Sequence, residues 1–341
     1  MPGVAETRTY DAILTTTLAN YRKRLKDQIF DVYPFLSWLN GKLADALRGT
    51  GDSPADAGGS QATGPKSDAR RERVLDSGET IVEHLLYEVS SAVKSYSQYE
   101  QVDTTPQEGM TIGRWNWRQY AATITISGFE RRVNAGDSKM IDLLKAKTAQ
   151  AELSLRRRLS LDAWGSNSDG KSLDGAGTIL STTASLGGLS PTTYTWWQPT
   201  VIASGSFAAQ GINDMRRCYN TISFGDDQPD ALFMPQTIFE YYENTLAAAE
   251  RYQNTKAANA GFSTLTFKGM PVIFDRHATA ATVSFWNSQY VNWCVHRDAN
   301  FSTGKFIEPD NQDAMSAKIL VQANITVPSR RMHGNLTGVT A

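Results

Sequence analysis

Cysteine is almost missing from this sequence: its 341 residues include two, Cys218 and Cys294. Two cannot build a disulfide framework or a cysteine zinc site, and such sparing use fits a reducing compartment. Charge of one sign is missing too. Lys+Arg number 34 against 35 Asp+Glu, a formal balance of −1, which excludes a global basic field for nucleic acid and an acidic solvating tail. No run approaches the roughly 18 apolar residues of a membrane span. The opening MPGVAETRTYDAIL lacks the basic start and apolar core of a secretion signal. Histidine is scarce: His84, His277, His296 and His333 lie far apart with no i, i+4 pair, so a zinc site has no convergent ligands. The expectation is a chain made in the cytosol, with no cofactor, metal or membrane partner.

What is present reads as a folded protein of two domains, or of one domain with large excursions, since the length exceeds one typical core. Residues 20–47 show apolar residues at helical spacing interrupted by Pro34, which predicts two helices meeting there. Residues 49–67 hold five glycines and two prolines, with no aromatic, Leu, Ile or Val. Such a segment cannot bury enough surface to offset its ordering entropy, and it reads as a linker. ETIVEHLLYEV (79–89) predicts a strand whose mate is GRWNWRQYAATITISG (113–128), where Ile124 and Ile126 alternate with Thr123, Thr125 and Ser127. The polar, tyrosine-bearing segment between them is far longer than a hairpin loop of two to five residues, and such loops usually rest on a partner.

MIDLLKAKTAQAELSLRRRLSLDAW (140–164) predicts one long helix. Asn134, Asp137 and Ser138 are candidate N-caps, and Gly165 stops it. Its apolar row, Ile141, Leu144, Thr148, Ala151, Leu155, Leu159 and Ala163, follows the period of a straight helix. At 1.5 Å per residue it spans roughly 40 Å. One apolar stripe and one polar side describe a beam laid across a sheet. Strand–helix (229–250), three strand-like runs (262–297) and the alternating SAKILVQANITV follow.

Chemistry is hard to assemble. GAGTIL (175–180) lacks the third glycine and the preceding strand of a dinucleotide loop. His296-Arg297-Asp298 resembles a kinase catalytic loop, but Thr303 stands where the metal-holding asparagine belongs. A cytosolic enzyme using Cys294, His296 and Asp298 is the alternative reading; Trp293 and Val295 beside the thiol argue for small packed cysteines instead. Arg156 sits four after Glu152 and Arg158 four before Asp162, giving both a helix partner, whereas Arg157 has none. These three arginines are the candidate DNA-facing residues. Arg330 and Arg331 read as a similar basic turn. Tyr96, Tyr99, Trp115 and Trp117 flank the long loop, and with Arg157 they are the candidate interface residues, because aromatics and arginine are enriched at protein–protein contacts.

The order of elements, together with ITISGFERRVNAGDSKMIDLLKAK, LGGLSPTTYTWWQP, RYQNTKAANAGFSTLTFKGMPVIFD and NFSTGKFIEPDNQDAMSAKILVQANITVPSRRMHGNLTG, resembles the major capsid proteins of tailed bacteriophages, whose fold is shared with herpesviruses. The usual Gly-Leu after the long helix is here Gly175-Ala176. The resemblance implies an α+β capsid fold in parts. These are an N-terminal arm (1–75) crossing a neighbour, strands with an extended loop (76–122, loop about 88–116), a peripheral domain (123–167 and 301–341) with spine helix 138–164, and an axial domain (168–300). It implies no enzymatic activity, but self-assembly as hexamers and pentamers into an icosahedral head shell around double-stranded DNA that is contacted non-specifically. A separate scaffolding protein, a portal and a decoration protein are the further partners it suggests, with the virion as location and the host cytoplasm as place of assembly. A minor head or tail component is the other alternative. Some family members crosslink a loop lysine; Lys94 is the only lysine in this loop, and nothing around it resembles an activating carboxylate.

Overall fold

The computed structural model describes residues 33–40, 72–101, 105, 106, 108–133, 137–225, 227–246, 265–309 and 312–341. The expected linker at 49–67 and the helix before Pro34 lie outside them. The described residues begin with a short helix α1 (Pro34–Leu39) and strands β1 (Glu72–Leu75), β2 (Thr80–Leu86), β3 (Met110–Asn116) and β4 (Arg118–Ser127). Helices α2 (Gly128–Val133), α3 (Asp137–Trp164) and α4 (Ala176–Ile179) follow, then β5 (Thr200–Ala203), α5 (Ile212–Ile222), β6 (Ala231–Met234) and α6 (Gln236–Thr245). Strands β7 (Leu265–Phe267), β8 (Met270–Phe274), β9 (Thr282–Trp286), β10 (Asn292–His296), β11 (Ser302–Thr303), β12 (Ala314–Thr326) and β13 (Gly334–Thr337) complete it.

The long helix is α3, and it packs on β4. Ala151, Leu155, Leu159 and Ala163 are buried, the i, i+4 row expected of one stripe, while Leu143 takes the buried place rather than Leu144. Each buried leucine contributes about 1.5–3 kcal/mol. On β4 the matching face is Ile124 and Ile126; Gln119, Ala121, Thr123 and Thr125 look to solvent. The period-two pattern therefore reports a sheet covered on one face only.

α3 ends where the Gly165 N–H bonds the Leu161 and Asp162 carbonyls. There the GAGTIL segment folds back against it. A Cβ on Gly175 would collide with the carbonyl oxygens of Asp162, Gly165 and Ala163, so this glycine exists for a close backbone approach and not for a phosphate.

Two sheets carry the body. In the first, Ile319 and Leu320 of β12 pair both with β4 and with β11, and Ala323 pairs both with β4 and with β10. A strand has two edges, so β4 holds one edge of β12 and β10 with β11 hold the other. β1 lies parallel beside β10. The second sheet runs β5-β13-β9-β6-β8-β7. Its central strands are buried on both faces: Ala231, Phe233 and Trp286 join one core, and Leu232, Met234, Val283 and Phe285 join another under α5 and α6. Lys268 and Gly269, at φ 47 and 84, make the two-residue turn between β7 and β8.

Sheet membership departs from the expected boundaries in three places. β10 (within 168–300) joins the β4–β12 sheet, and β13 (within 301–341) joins the other, parallel to β5 and antiparallel to β9. The switch is built by the turn before β13. Arg330, read from sequence as part of a basic turn similar to the α3 arginines, is fully buried and donates to the Ile179, Thr178, Ala184 and Ser181 carbonyls. Burial lowers its pKa to about 10. The third departure is the arm. Of residues 1–75, β1 is a sheet strand of this chain, and α1 is a core element rather than a strap on a neighbour. Phe35 lies 4.4 Å from Trp164, 5.1 Å from Trp286 and 5.3 Å from Phe233 between ring centroids, and its N–H donates to the buried Asp275 carboxylate at 3.1 Å. Pro34, with no N–H to satisfy, starts the helix.

Candidate subunit interface

Among the described residues, the hairpin gathers the most apolar side chains that find no core. β2 and β3 pair antiparallel from Thr80↔Asn116 to Leu86↔Met110. At the base, Ile81, Leu85 and Trp115 are buried; farther out, Leu86, Val89, Val93, Tyr96, Tyr99 and Met110 are 67–97% exposed. Half of the exposed large apolar side chains among the described residues belong to this hairpin. Single exposed apolar residues need no explanation, but a contiguous set marks a contact surface.

Its root is fixed in four ways. The Trp115 indole fills a slot made by two glycines: a Cβ on Gly113 would come within 2.6 Å of it, and one on Gly187 within 2.9 Å. Arg114 N–H bonds the Gly187 carbonyl at 2.9 Å, and Trp197 Nε1 donates to the Leu186 carbonyl. Tyr87 stacks on Trp196 at 5.2 Å, with Tyr194 next to it. The segment LGGLSPTTYTWWQP is therefore the socket of the hairpin. Finally, Glu83 pairs with Arg73 of β1 and accepts from Thr326 Oγ1 of β12 at 3.1 Å.

Tyr96 and Tyr99 stand exposed on the outer hairpin, as an interface contact requires. Trp115 does not: at 1% exposure it belongs to the core, because the two glycines open a slot that no local pattern announces. Trp117 is half-buried, donating Nε1 to the Gly78 carbonyl at 2.8 Å and meeting the His296 ring edge-on. Val89, Val93 and Met110 were missed; their only sequence signal is an apolar residue inside a polar run.

The three arginines of α3 are exposed. Arg158 pairs with Asp162 at 3.0 Å as its spacing predicts. Arg156 lies over the Phe301 ring at 5.7 Å, and Arg157, expected to lack a partner, has one. Arg331 covers Phe224 at 4.5 Å.

No nucleophile is assembled around Cys294. The thiol is fully buried and its pKa is pushed up to about 11, chiefly by burial. It meets Thr326 Oγ1 at 3.5 Å, while the Nδ1 of His296 accepts from the backbone N–H of Asp298. Cys218 is buried likewise, with its pKa pushed up to about 12. At neutral pH both are thiols, and the thiolate is the reactive form. Among the described residues no three His, Cys, Asp or Glu side chains converge on a metal position, and no helix is long and apolar enough to cross a membrane.

A long helix on a half-covered sheet, a second sheet covered on both faces, and a projecting hairpin together are the α+β fold of tailed-phage capsid proteins, and the chain has that fold. The solved capsid asymmetric unit of cyanophage A-1(L) matches it with a TM-score of 0.55 at 12% identity, covering 79% of this chain and 91% of that one. The capsid of the native GTA particle gives 0.55 at 13% identity, over 87% and 99%. A structure from Mycobacterium phage Bobi gives 0.53 at 12% identity, over 87% and 99%. No family model and no curated protein matches the sequence.

Proposed function

We propose that the chain is the major capsid subunit of a tailed phage, assembling as hexamers and pentamers into an icosahedral shell around packaged double-stranded DNA. The observation that carries the reading is the hairpin: a rigidly rooted element presents a row of apolar side chains that its own subunit leaves in water, on a fold shared with solved phage capsid structures. A subunit that tiles needs such a surface, because a closed shell is made by repeating one heterologous contact until it closes. In this reading residues 76–122 supply the contact, α3 with residues 123–167 stiffens the plate, and residues 168–300 meet their copies around the symmetry axes. Arg156, Arg157 and Arg158 face the DNA, where backbone contacts by arginine are independent of sequence. Scaffolding, portal and decoration proteins are further partners, and the mature location is the virion, after assembly in the host cytoplasm. The Cys294 reading is weaker on chemical grounds, since a buried neutral thiol is a poor nucleophile.

Expression of the chain followed by sedimentation and electron microscopy tests this. Closed shells, tubes or sheets of hexamers are expected, alone or with a co-expressed scaffolding protein. A chain that stays monomeric under every such condition overturns the proposal.

A further inference from the structure

The paired part of the hairpin has two faces, and its own subunit uses one of them. Side chains alternate between the faces of a strand. Ile81, Leu85 and Trp115 are buried toward the socket, and Glu83 on the same face pairs with Arg73. Val82, His84 and Leu86 of β2 and Met110, Ile112 and Arg114 of β3 turn the other way, and all six are exposed. The register sets Leu86 against Met110, His84 against Ile112 and Val82 against Arg114. His84 is therefore the centre of this face. Ile112 lies directly across from it, Val82 and Leu86 flank it on its own strand, and Met110 and Arg114 take the diagonals.

Among the described residues no carboxylate faces the imidazole. Glu83 is on the opposite face. Glu88 and Glu108 stand past the end of the ladder, four positions from His84 and Ile112, about 13 Å along a strand. Toward the root, Glu79 precedes the ladder and Asp76 pairs with Arg297. The nearest charge on the face is Arg114, which has the same sign as a protonated imidazole.

An apolar face with an ionisable group at its centre behaves differently in and out of water. A histidine in water is half protonated near pH 6.5. Covered by an apolar surface, the charged form loses its hydration and here gains no counterion, so the neutral form is the one that can be covered.

We propose that His84 is a proton-controlled switch on assembly: covering this face of the hairpin with a second copy of the chain expels the imidazole proton, and acid holds the subunits apart. The proposal rests on the shell reading and adds its regulation. The occupant is a second copy because the face continues into Val89, Val93, Tyr96 and Tyr99, the exposed row that the shell reading gives to a neighbour. The sign follows from linkage. The covered state binds fewer protons, so association weakens as pH falls. One proton released per subunit amounts to about a tenfold change between pH 7.5 and 5.5.

The test is the critical subunit concentration for particle formation, read by sedimentation from pH 7.5 to 5.5. The unmodified chain should need about ten times more subunit at pH 5.5 than at pH 7.5. His84→Gln, neutral throughout, should assemble with a flat profile. His84→Lys, charged throughout, should need about tenfold more subunit already at pH 7.5. Unfolding of the free subunit, measured alongside, carries the acid sensitivity of the buried His333 in all three proteins and so separates folding from assembly. A flat profile for the unmodified chain, an unchanged slope in His84→Gln, or normal assembly of His84→Lys at pH 7.5 overturns the switch and leaves the shell reading standing. An unmodified chain that forms no particles at any pH overturns both.

Discussion

The junction around α1 and the outer hairpin use the same residue types in opposite ways. At the junction Phe35, Trp38, Trp164, Phe233 and Trp286 pack ring against ring, and none is more than 4% exposed. On the hairpin Val89, Val93 and Tyr99 are 81–97% exposed. Burial of such a side chain is worth about 1.5–3 kcal/mol wherever it takes place. The junction realises that energy within one chain. The outer hairpin does not, so these exposed residues add little to the stability of the subunit and are available to a second surface.

The largest loss of stability is expected at the junction. Phe35→Ala leaves a cavity among four large aromatic rings, and it should destabilise the unassembled subunit by about 3–5 kcal/mol in urea unfolding. A loss below about 1 kcal/mol would mean that α1 is not a core element, and that the N-terminal region is free to serve a neighbour.

Acid should act on the same core. His333 is fully buried against Trp286, and burial first, with Arg330 contributing, lowers its pKa to about 4. Its unfolded value is about 6.5, so between these two values the unfolded chain binds the extra proton and stability falls as pH falls. The contribution is fully present above about pH 6.5 and is lost by about pH 4, roughly 3 kcal/mol in all at 1.36 kcal/mol per pKa unit. Denaturation midpoints measured from pH 7.5 to 4 should show this slope, and His333→Phe should flatten it. The hairpin offers no such buried histidine, so its own local order should change little over that range.

Between the two regions lies the socket. Gly187 has φ 63 and touches the Trp115 indole, so Gly187→Ala adds both backbone strain and a crowded methyl. A cost of about 1–3 kcal/mol is expected. Tryptophan fluorescence should shift as Trp115 leaves its slot, and the hairpin should become open to protease. An unchanged spectrum would mean that the Trp115 slot tolerates the methyl and does not set the hairpin's position.

How much of this was legible follows from the range of the interactions. α3 and β4 could be read because the burial of Ala151, Leu155, Leu159, Ile124 and Ile126 repeats with the period of their own element. The hairpin could be recognised from its length, which local folding does not require. Trp115 could not be placed, since its slot joins Gly113 to Gly187 across more than seventy residues of chain. Arg330 was misread for a similar reason: its acceptors are carbonyls of residues 178–184, which carry no sequence signature, whereas a carboxylate partner would have. The place of β13 beside α5 also escapes local reading: a Cβ on Gly334 would fall 2.5 Å from Cys218 Sγ, a contact between residues far apart in the chain.

The smallest effect on the subunit is expected where the exposure is greatest. Val93→Ser combined with Tyr99→Ser removes two apolar groups that touch water on most sides, so the free subunit should keep its stability within about 0.5 kcal/mol. Assembly should respond differently. If the hairpin meets a second copy, each contact loses both groups, and a shell repeats that loss in every subunit. At about 25 cal/mol per Å² of apolar area, two such side chains are worth enough to move a weak repeated contact across its assembly threshold. Paired measurements read the two outcomes separately: thermal unfolding of the monomer for the fold, sedimentation for particles. A variant with an unchanged midpoint and no particles places the hairpin's apolar row at the interface. A variant that assembles normally leaves that row without a role, and one that unfolds early returns it to the subunit core.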